Sequence, residues 1–285
     1  MTEKRRVLLR AIFGEGLCSF LFFFIVMACA VNNGRQEQPE NLVLGCIATA
    51  FCSVALIYSF ADVSGAHFNP AVTFATLVTG KVSINKAFAF ITIQCLASVL
   101  ATAFLMVVFP APYGSSKTAD RWDIPATVTV DIEASTHPVN AFFMEMALTF
   151  ILVYVIFATA FDTVNTEGTP AVVGEDGVEN GGRVGTKLTI YTASGNTKAG
   201  FAPLSIGFTL GFLGLLGNSV SGGAFNPARV FGPAMLSGNW SNHWLYWIAD
   251  FLGAALAGWT QHFFAHEATQ DSASSKARIK AKVVA

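Results

Sequence analysis

The hydrophobic positions of this chain form long continuous runs that are separated by shorter polar segments. Six runs approach or reach the roughly 20 residues that a helix needs to cross a bilayer. We predict six transmembrane helices near residues 11–31, 42–60, 86–109, 139–161, 200–217 and 243–265. Two further apolar runs, 69–79 and 226–236, contain only about a dozen residues, too few to cross a bilayer. The order is span, span, half-length helix, span, and the second half of the chain repeats it.

Both short runs follow the same phrase, Phe-Asn-Pro-Ala, at residues 68–71 and 225–228. Asn is a preferred N-cap of helices, and Pro is favoured at the first helical position because it lacks only a hydrogen-bond donor that would have no partner there. The phrase therefore predicts two half-length helices that start at Asn69-Pro70 and Asn226-Pro227.

Polar residues inside the spans extend the repeat. Glu15 and Glu145 stand in the first span of each half, and Gln94 aligns with Asp250 in the third span. An odd number of spans per repeat gives the two copies opposite orientations, so we predict an inverted repeat with its functional site near the membrane midplane. We expect each glutamate to accept hydrogen bonds from non-helical backbone beside a half-helix. The alternative is partial exposure at the span ends.

Composition supports a polytopic membrane protein. The 285 residues are 53% hydrophobic and only 12% charged, with a mean hydropathy of +0.53. The net charge of −1 gives no indication of nucleic-acid binding. The five cysteines lie in apolar stretches without metal-ligand spacing, which favours core positions over a disulfide framework. We expect no cofactor, no metal and no enzymatic activity.

Basic residues indicate the orientation. They concentrate in the segments that are internal when both termini are internal, whereas the outer loops hold only Arg35, Lys117 and Arg121. The positive-inside rule therefore predicts cytoplasmic termini. We divide the single channel domain, 1–285, into a first repeat (1–110), an outer connecting loop (111–138), a second repeat (139–266) with a long inner loop (162–199), and a cytoplasmic tail (267–285).

Non-helical backbone at membrane depth is tolerated where it lines a polar cavity or is buried in protein. We predict that the stretches before the half-helices direct a ladder of carbonyls into a narrow pore. This ladder comprises Gly65, Ala66, His67, Phe68, Gly222, Ala224 and Phe225. Two asparagine amides and two positive helix ends would meet at its centre, orient water by its oxygen, and repel cations. Such a site suits small neutral molecules.

Four ionisable residues have no place yet in this picture. Arg229 lies about one helical turn after Asn226, near the predicted outer mouth, and an intramembrane charge by default indicates function; the alternative is an arginine that snorkels to the interface. His67 is either a pH sensor or a ladder residue whose side chain packs elsewhere. Asp62 and Asp250 have no assigned role, since vestibule lining and a buried acid both remain open.

The residues 64–73 and 222–229 resemble the two signature loops of the aquaporin and glycerol-facilitator (major intrinsic protein) family. The resemblance covers about residues 8–266, including Glu15, Glu145 and Gln94 as structural supports. It implies an all-α membrane protein of six tilted helices and two re-entrant half-helices in an inverted repeat, with a pore in each subunit of a homotetramer. It assigns the pore asparagine-proline-alanine (NPA) motifs to Asn69, Pro70, Ala71, Asn226, Pro227 and Ala228.

By the same resemblance, the narrow selectivity filter falls on Thr49, Gly214, Gly223 and Arg229. Strict water channels have an aromatic residue and a histidine at the first two positions, and glycerol facilitators have aromatic walls and an aspartate after the arginine, where this chain has Val230. We predict water conduction through a widened filter, without mercurial block at Gly223. The alternatives are a facilitator of glycerol, urea or another small neutral solute, and a constitutively closed or structural membrane protein.

The loop 162–199 is long for a connector, and such loops are commonly functional or disordered. We hypothesise that it caps the pore and that phosphorylation of Thr163, Thr166 or Ser275 releases it; the alternative is an insertion without effect. Asn239 begins a glycosylation sequon on the predicted outer side, but its position close to the membrane disfavours glycosylation. The sequence fits a plasma membrane or an intracellular vesicle membrane.

A secondary transporter also uses inverted repeats, but it would need ionisable groups at the midplane.

Overall fold

The computed structural model of this protein describes residues 2–34, 42–110, 123–161 and 200–284, the last twenty of them by backbone alone. The predicted gating loop 162–199, with Thr163 and Thr166, lies outside the described residues, as do residues 111–122 of the connecting loop. The described helices are α1 (Glu3–Gly34), α2 (Leu42–Phe60), α3 (Pro70–Val78), α4 (Ile84–Val108), α5 (Ile124–Thr127), α6 (Pro138–Ile156), α7 (Ala202–Ser221), α8 (Pro227–Ser237) and α9 (His243–Val284).

Five of the described helices are long and apolar enough to cross a membrane: α1, α2, α4, α6 and α7. The sixth position belongs to α9, which packs against α6 and α3 as α4 packs against α1 and α8. Each half-helix is thus in contact with the third span of the opposite repeat. The all-α prediction of six spans and two half-helices in an inverted repeat is confirmed.

Helix boundaries differ from the predicted ones mainly at the termini. The half-helices α3 and α8 agree with prediction to within a residue or two, because the Asn-Pro start is a local signal. By contrast, α1 begins at Glu3 and α9 continues to Val284. Residues 266–284 are rich in Ala and Lys, which favour helix without being apolar enough to be recognised as a span, so hydropathy alone underestimated the length of α9. The end of α6 widens into a π-helical turn, Phe157–Phe161.

The outside of the helix bundle is apolar. Phe13, Phe88 and Val107 are each about three-quarters exposed, and large hydrophobic side chains are exposed along all the long helices. The buried positions, in contrast, include many polar side chains, among them Glu15, Gln94, Glu145 and Asp250, which are fully buried. An apolar exterior around a polar interior is the arrangement expected of a protein whose surrounding solvent is lipid.

Candidate pore site

Two non-helical loops, 65–69 and 222–226, lead into the half-helices, and their backbone is strained. Ala66, Phe68 and Phe225 have φ values of 49°, 34° and 36°, in the left-handed region that residues with a side chain rarely adopt. Gly222 and Gly223 supply φ values of 79° and 59° at less cost. Strain of this kind persists only where the surroundings hold it in place, so the partners of these loops matter.

The first loop is held by Glu15 from α1. One carboxylate oxygen accepts hydrogen bonds from the Ser64 hydroxyl at 2.7 Å and the His67 amide at 3.3 Å. The other accepts the Phe68 amide at 2.5 Å and Gln94 Nε2 at 2.8 Å. The predicted contact between this glutamate and non-helical backbone is confirmed, and the buried carboxylate leaves four donors satisfied.

The second loop is held in the same way by Glu145 from α6. Its carboxylate accepts the Ala224 amide at 3.0 Å, the Phe225 amide at 2.6 Å and the Ser221 hydroxyl. The Tyr246 hydroxyl adds a bond of 2.8 Å to the Ser221 carbonyl. The prediction for this glutamate is confirmed as well, so both strained loops are fixed by a buried carboxylate from the first span of their own repeat.

The two loops also hold each other through their asparagines. Asn69 Oδ1 caps α3 by accepting the Ala71 amide at 2.8 Å, and its Nδ2 donates to the Phe225 carbonyl at 2.7 Å. Asn226 does the reverse, with Nδ2 donating to the Phe68 carbonyl at 2.9 Å. The half-helix N-termini therefore meet at the centre of the protein. Since an amide nitrogen has two hydrogens, each asparagine retains one donor in a fixed direction.

A cavity of about 410 Å³, which includes space open to solvent, extends from the first loop towards the π-helical end of α6. One side is formed by the residues of the first loop, Gly65 to Asn69. The remaining wall is apolar and comes from α2, α3, α6, α7 and the π-helical turn: Ile57, Val72, Leu152, Ile156, Ala160, Phe161, Ile206 and Leu210. A polar strip along an otherwise apolar wall gives a permeating molecule few ligands, which disfavours dehydrating an ion there.

The predicted filter positions differ in what they offer. The Thr49 hydroxyl donates to the Gly45 carbonyl at 2.9 Å, so only its lone pairs remain free. A Cβ added to Gly223 would lie 3.6 Å from the Gly214 carbonyl, which places these two glycines side by side. A Cβ at Gly214 would come within 2.9 Å of the Cys46 sulfur. Cys46 thus occupies the space that a side chain at Gly214 would need. This contact was not predicted from the sequence.

Arg229 in α8 is only partly buried, and its Nη1 donates to the Val128 carbonyl at 2.8 Å. This bond fixes the guanidinium at the C-terminal end of α5, within the connecting loop. A guanidinium has five N–H donors, so one backbone contact leaves others for a solute. Because the acceptor is a backbone carbonyl, which every residue has, the sequence does not indicate that Val128 is the partner of Arg229.

Both the sequence and the fold of this chain are similar to those of known proteins. The model of the major intrinsic protein family matches residues 2–175 and 184–261, nearly the whole chain. The chain belongs to the major intrinsic protein family. It is therefore an integral, multi-pass membrane protein of the aquaporin channel type.

Relatives within the family support this assignment. Aquaporin-B of Dictyostelium discoideum is 55% identical over 262 residues, which cover 92% of this chain and 85% of that protein. An aquaporin of Enterocytozoon bieneusi (strain H348) is 34% identical over 92% of this chain and 98% of its own length. The solved aquaglyceroporin of Plasmodium falciparum has the same fold, with a TM-score of 0.66 over 90% of this chain and 96% of that one, at 20% identity.

Three further polar residues that the sequence singles out have defined positions in this family member. His67 is buried, and its Nδ1 lies 3.0 Å from the Thr73 hydroxyl. Asp62 is exposed just after α2. Asn239 is also exposed, with its amide nitrogen 3.5 Å from an oxygen of Asp131.

Two serines support the loops in a way that was not predicted, although their positions in the repeat indicate it. Ser64 and Ser221 each stand five residues before the asparagine of their loop, and each donates its hydroxyl to the glutamate of its own repeat. An alignment of the two halves at their asparagines would have paired them. The repeat therefore contains one further matched position that supports the loops.

Proposed function

We propose that the protein is a passive channel that conducts water past the paired asparagines. The observation that carries this proposal is the fixed amide donor of Asn69 and Asn226, each bound on Oδ1 by its own half-helix and on Nδ2 by the opposite loop. A water molecule between the two remaining N–H donors must accept with its oxygen. Its hydrogens then point away from the centre on both sides, which interrupts a proton wire.

Charge exclusion follows from the same geometry. The N-termini of α3 and α8 both contribute partial positive charge at the centre, and Arg229 adds a full charge beside Val128. Cations are repelled, and the apolar wall offers anions little compensation for lost hydration. The proposed pore residues are the two NPA motifs, the carbonyls of the two loops and the filter set of Thr49, Gly214, Gly223 and Arg229.

A second solute class has its own support. Gly214 and Gly223 lie side by side without side chains, and Thr49 is small, so no aromatic ring narrows these three positions. Conduction of glycerol or urea is therefore the second candidate function. Stopped-flow light scattering on proteoliposomes, with water, glycerol and urea compared, decides between them. We expect fast water flux, and no flux for any of the three would contradict an open channel.

The cytoplasmic orientation of the termini, the homotetramer and a gating role of 162–199 stay predictions from the sequence and the family resemblance. Gating has a direct test: part of the loop, 168–192, is deleted and osmotic permeability is measured in proteoliposomes. We expect a higher permeability if the loop caps the pore. Unchanged flux would contradict a gate.

A further inference from the structure

The two carboxylates that hold the loops have different neighbours on the third span. In the first repeat, the neutral amide of Gln94 donates to Glu15 at 2.8 Å and to the Thr73 hydroxyl at 3.0 Å. At the aligned position of the second repeat stands Asp250, whose Oδ1 accepts the Thr149 hydroxyl at 3.1 Å, one helical turn after Glu145 on α6. Both acids are fully buried. Two ionised carboxylates this close in a low-dielectric interior would repel each other strongly.

The hydrogen bonds show which of the two acids is better suited to be ionised. Glu145 accepts three neutral donors, from Ser221, Ala224 and Phe225. Asp250 accepts only the Thr149 hydroxyl, at 3.1 Å on Oδ1. Donors directed at a carboxylate favour its charged form. Arg229, the cation inside the second half-helix, directs Nη1 at the Val128 carbonyl.

The other oxygen of Asp250 supplies an independent observation. Oδ2 is completely buried and receives no hydrogen bond from any donor in the described part of the chain. A buried carboxylate oxygen without a donor is costly. The same atom is satisfied if it carries a proton and itself donates, because a protonated carboxyl has one O–H donor. The neighbouring Glu145 carboxylate is then the acceptor.

We propose that Asp250 is a positioning residue that stays protonated in the folded channel and donates a hydrogen bond to Glu145, as the Gln94 amide does to Glu15. The neutral acid replaces the amide of the first repeat and holds the carboxylate that fixes Ala224 and Phe225. Through them it holds the Asn226 end of the pore. This inference does not depend on which neutral solute the channel passes.

The test compares the wild-type channel with Asp250→Asn and Asp250→Ala in lipid. Infrared spectroscopy at near-neutral pH should show the carbonyl band of a protonated carboxylic acid in the wild type, and this band should be absent from Asp250→Asn. In stopped-flow measurements we expect Asp250→Asn to retain most of the water permeability, because its amide still donates. Asp250→Ala should lose permeability several-fold.

Each opposite outcome overturns the proposal. A wild-type spectrum without the band means that both acids are ionised, and a band that persists in Asp250→Asn belongs to another residue. Equal losses of permeability in the two variants would show that a neutral donor cannot replace the aspartate. The spectroscopic result needs only the wild type and the conservative variant, so poor folding of Asp250→Ala leaves it decisive.

Discussion

The two repeats hold their pore loops with the same parts but not with the same chemistry. In both, a buried glutamate from the first span accepts backbone amides of a strained loop, and an asparagine caps the half-helix. In the first repeat the surrounding groups are neutral, with Gln94 and Val72. In the second, the aligned positions hold Asp250 and Arg229. The shared residues fix the backbone of both loops, and Arg229 gives the second loop a positive charge that the first loop lacks.

This difference shows how an inverted repeat can separate structure from selectivity. A symmetric pair of half-helices is sufficient to place two amide donors at the centre, as the reciprocal bonds to Phe68 and Phe225 demonstrate. Discrimination between solutes needs a site that only one half provides. Arg229 belongs to the second repeat alone, and its anchor, the Val128 carbonyl, comes from the connecting loop.

Removal of the carboxylates should have the largest effect on both halves. Glu15→Ala and Glu145→Ala each strand three or more buried donors, at about 1–3 kcal/mol per donor. We expect loss of water flux and a strongly lowered thermal unfolding midpoint in detergent for both, because Gln94 and, as proposed above, Asp250 also lose the carboxylate to which they donate. Glu133→Ala, at an exposed position, is the matched control and should change little. A stable, conducting Glu15→Ala would contradict the shared role.

Substitution of Arg229 should affect selectivity more than folding. Arg229→Val gives the second repeat the residue that the first has at Val72, the third position after its asparagine. We expect water flux to continue while cation or proton leak rises, because the fixed positive charge is gone. Urea flux should rise as well, because valine is smaller than arginine. Proteoliposomes loaded with a pH-sensitive dye measure the leak. An unchanged leak and an unchanged urea flux would show that Arg229 has no part in the filter.

A ring at the first filter position should narrow the pore. In Thr49→Phe we expect glycerol and urea permeability to fall more than water permeability, since the larger solutes need the space beside Gly214 and Gly223. Ile47→Phe is the control, because Ile47 is 44% exposed on the lipid-facing side of the same helix. Equal loss for all solutes, or loss in the control, would separate Thr49 from selectivity.

The smallest effect concerns the contact between α2 and α7. Gly214→Ala would place a methyl group 2.9 Å from the Cys46 sulfur, and overpacking of this kind costs about 1–3 kcal/mol. We expect a lower unfolding midpoint that Cys46→Ala partly restores in the double variant. If the two effects simply add, the two side chains do not share the space.

The features of this protein that local chemistry determines can be predicted from the sequence. Asn69-Pro70 and Asn226-Pro227 start helices wherever they occur, and a buried Glu15 needs donors that only irregular backbone can spare. Contacts between elements far apart in the chain cannot be predicted in this way. The bond from Asn69 to the Phe225 carbonyl joins residues 156 positions apart, and the Cys46 sulfur fills space beside Gly214 on another helix. Neither follows from residue type or spacing.

The temperature dependence of water flux, measured with and without a proton gradient, tests the central claim most directly. A fixed aqueous path past Asn69 and Asn226 needs no conformational cycle, so we predict a low activation energy in proteoliposomes and no effect of the gradient. A high activation energy equal to that of protein-free liposomes would contradict an open pore. Flux that follows the proton gradient would instead indicate a coupled transporter.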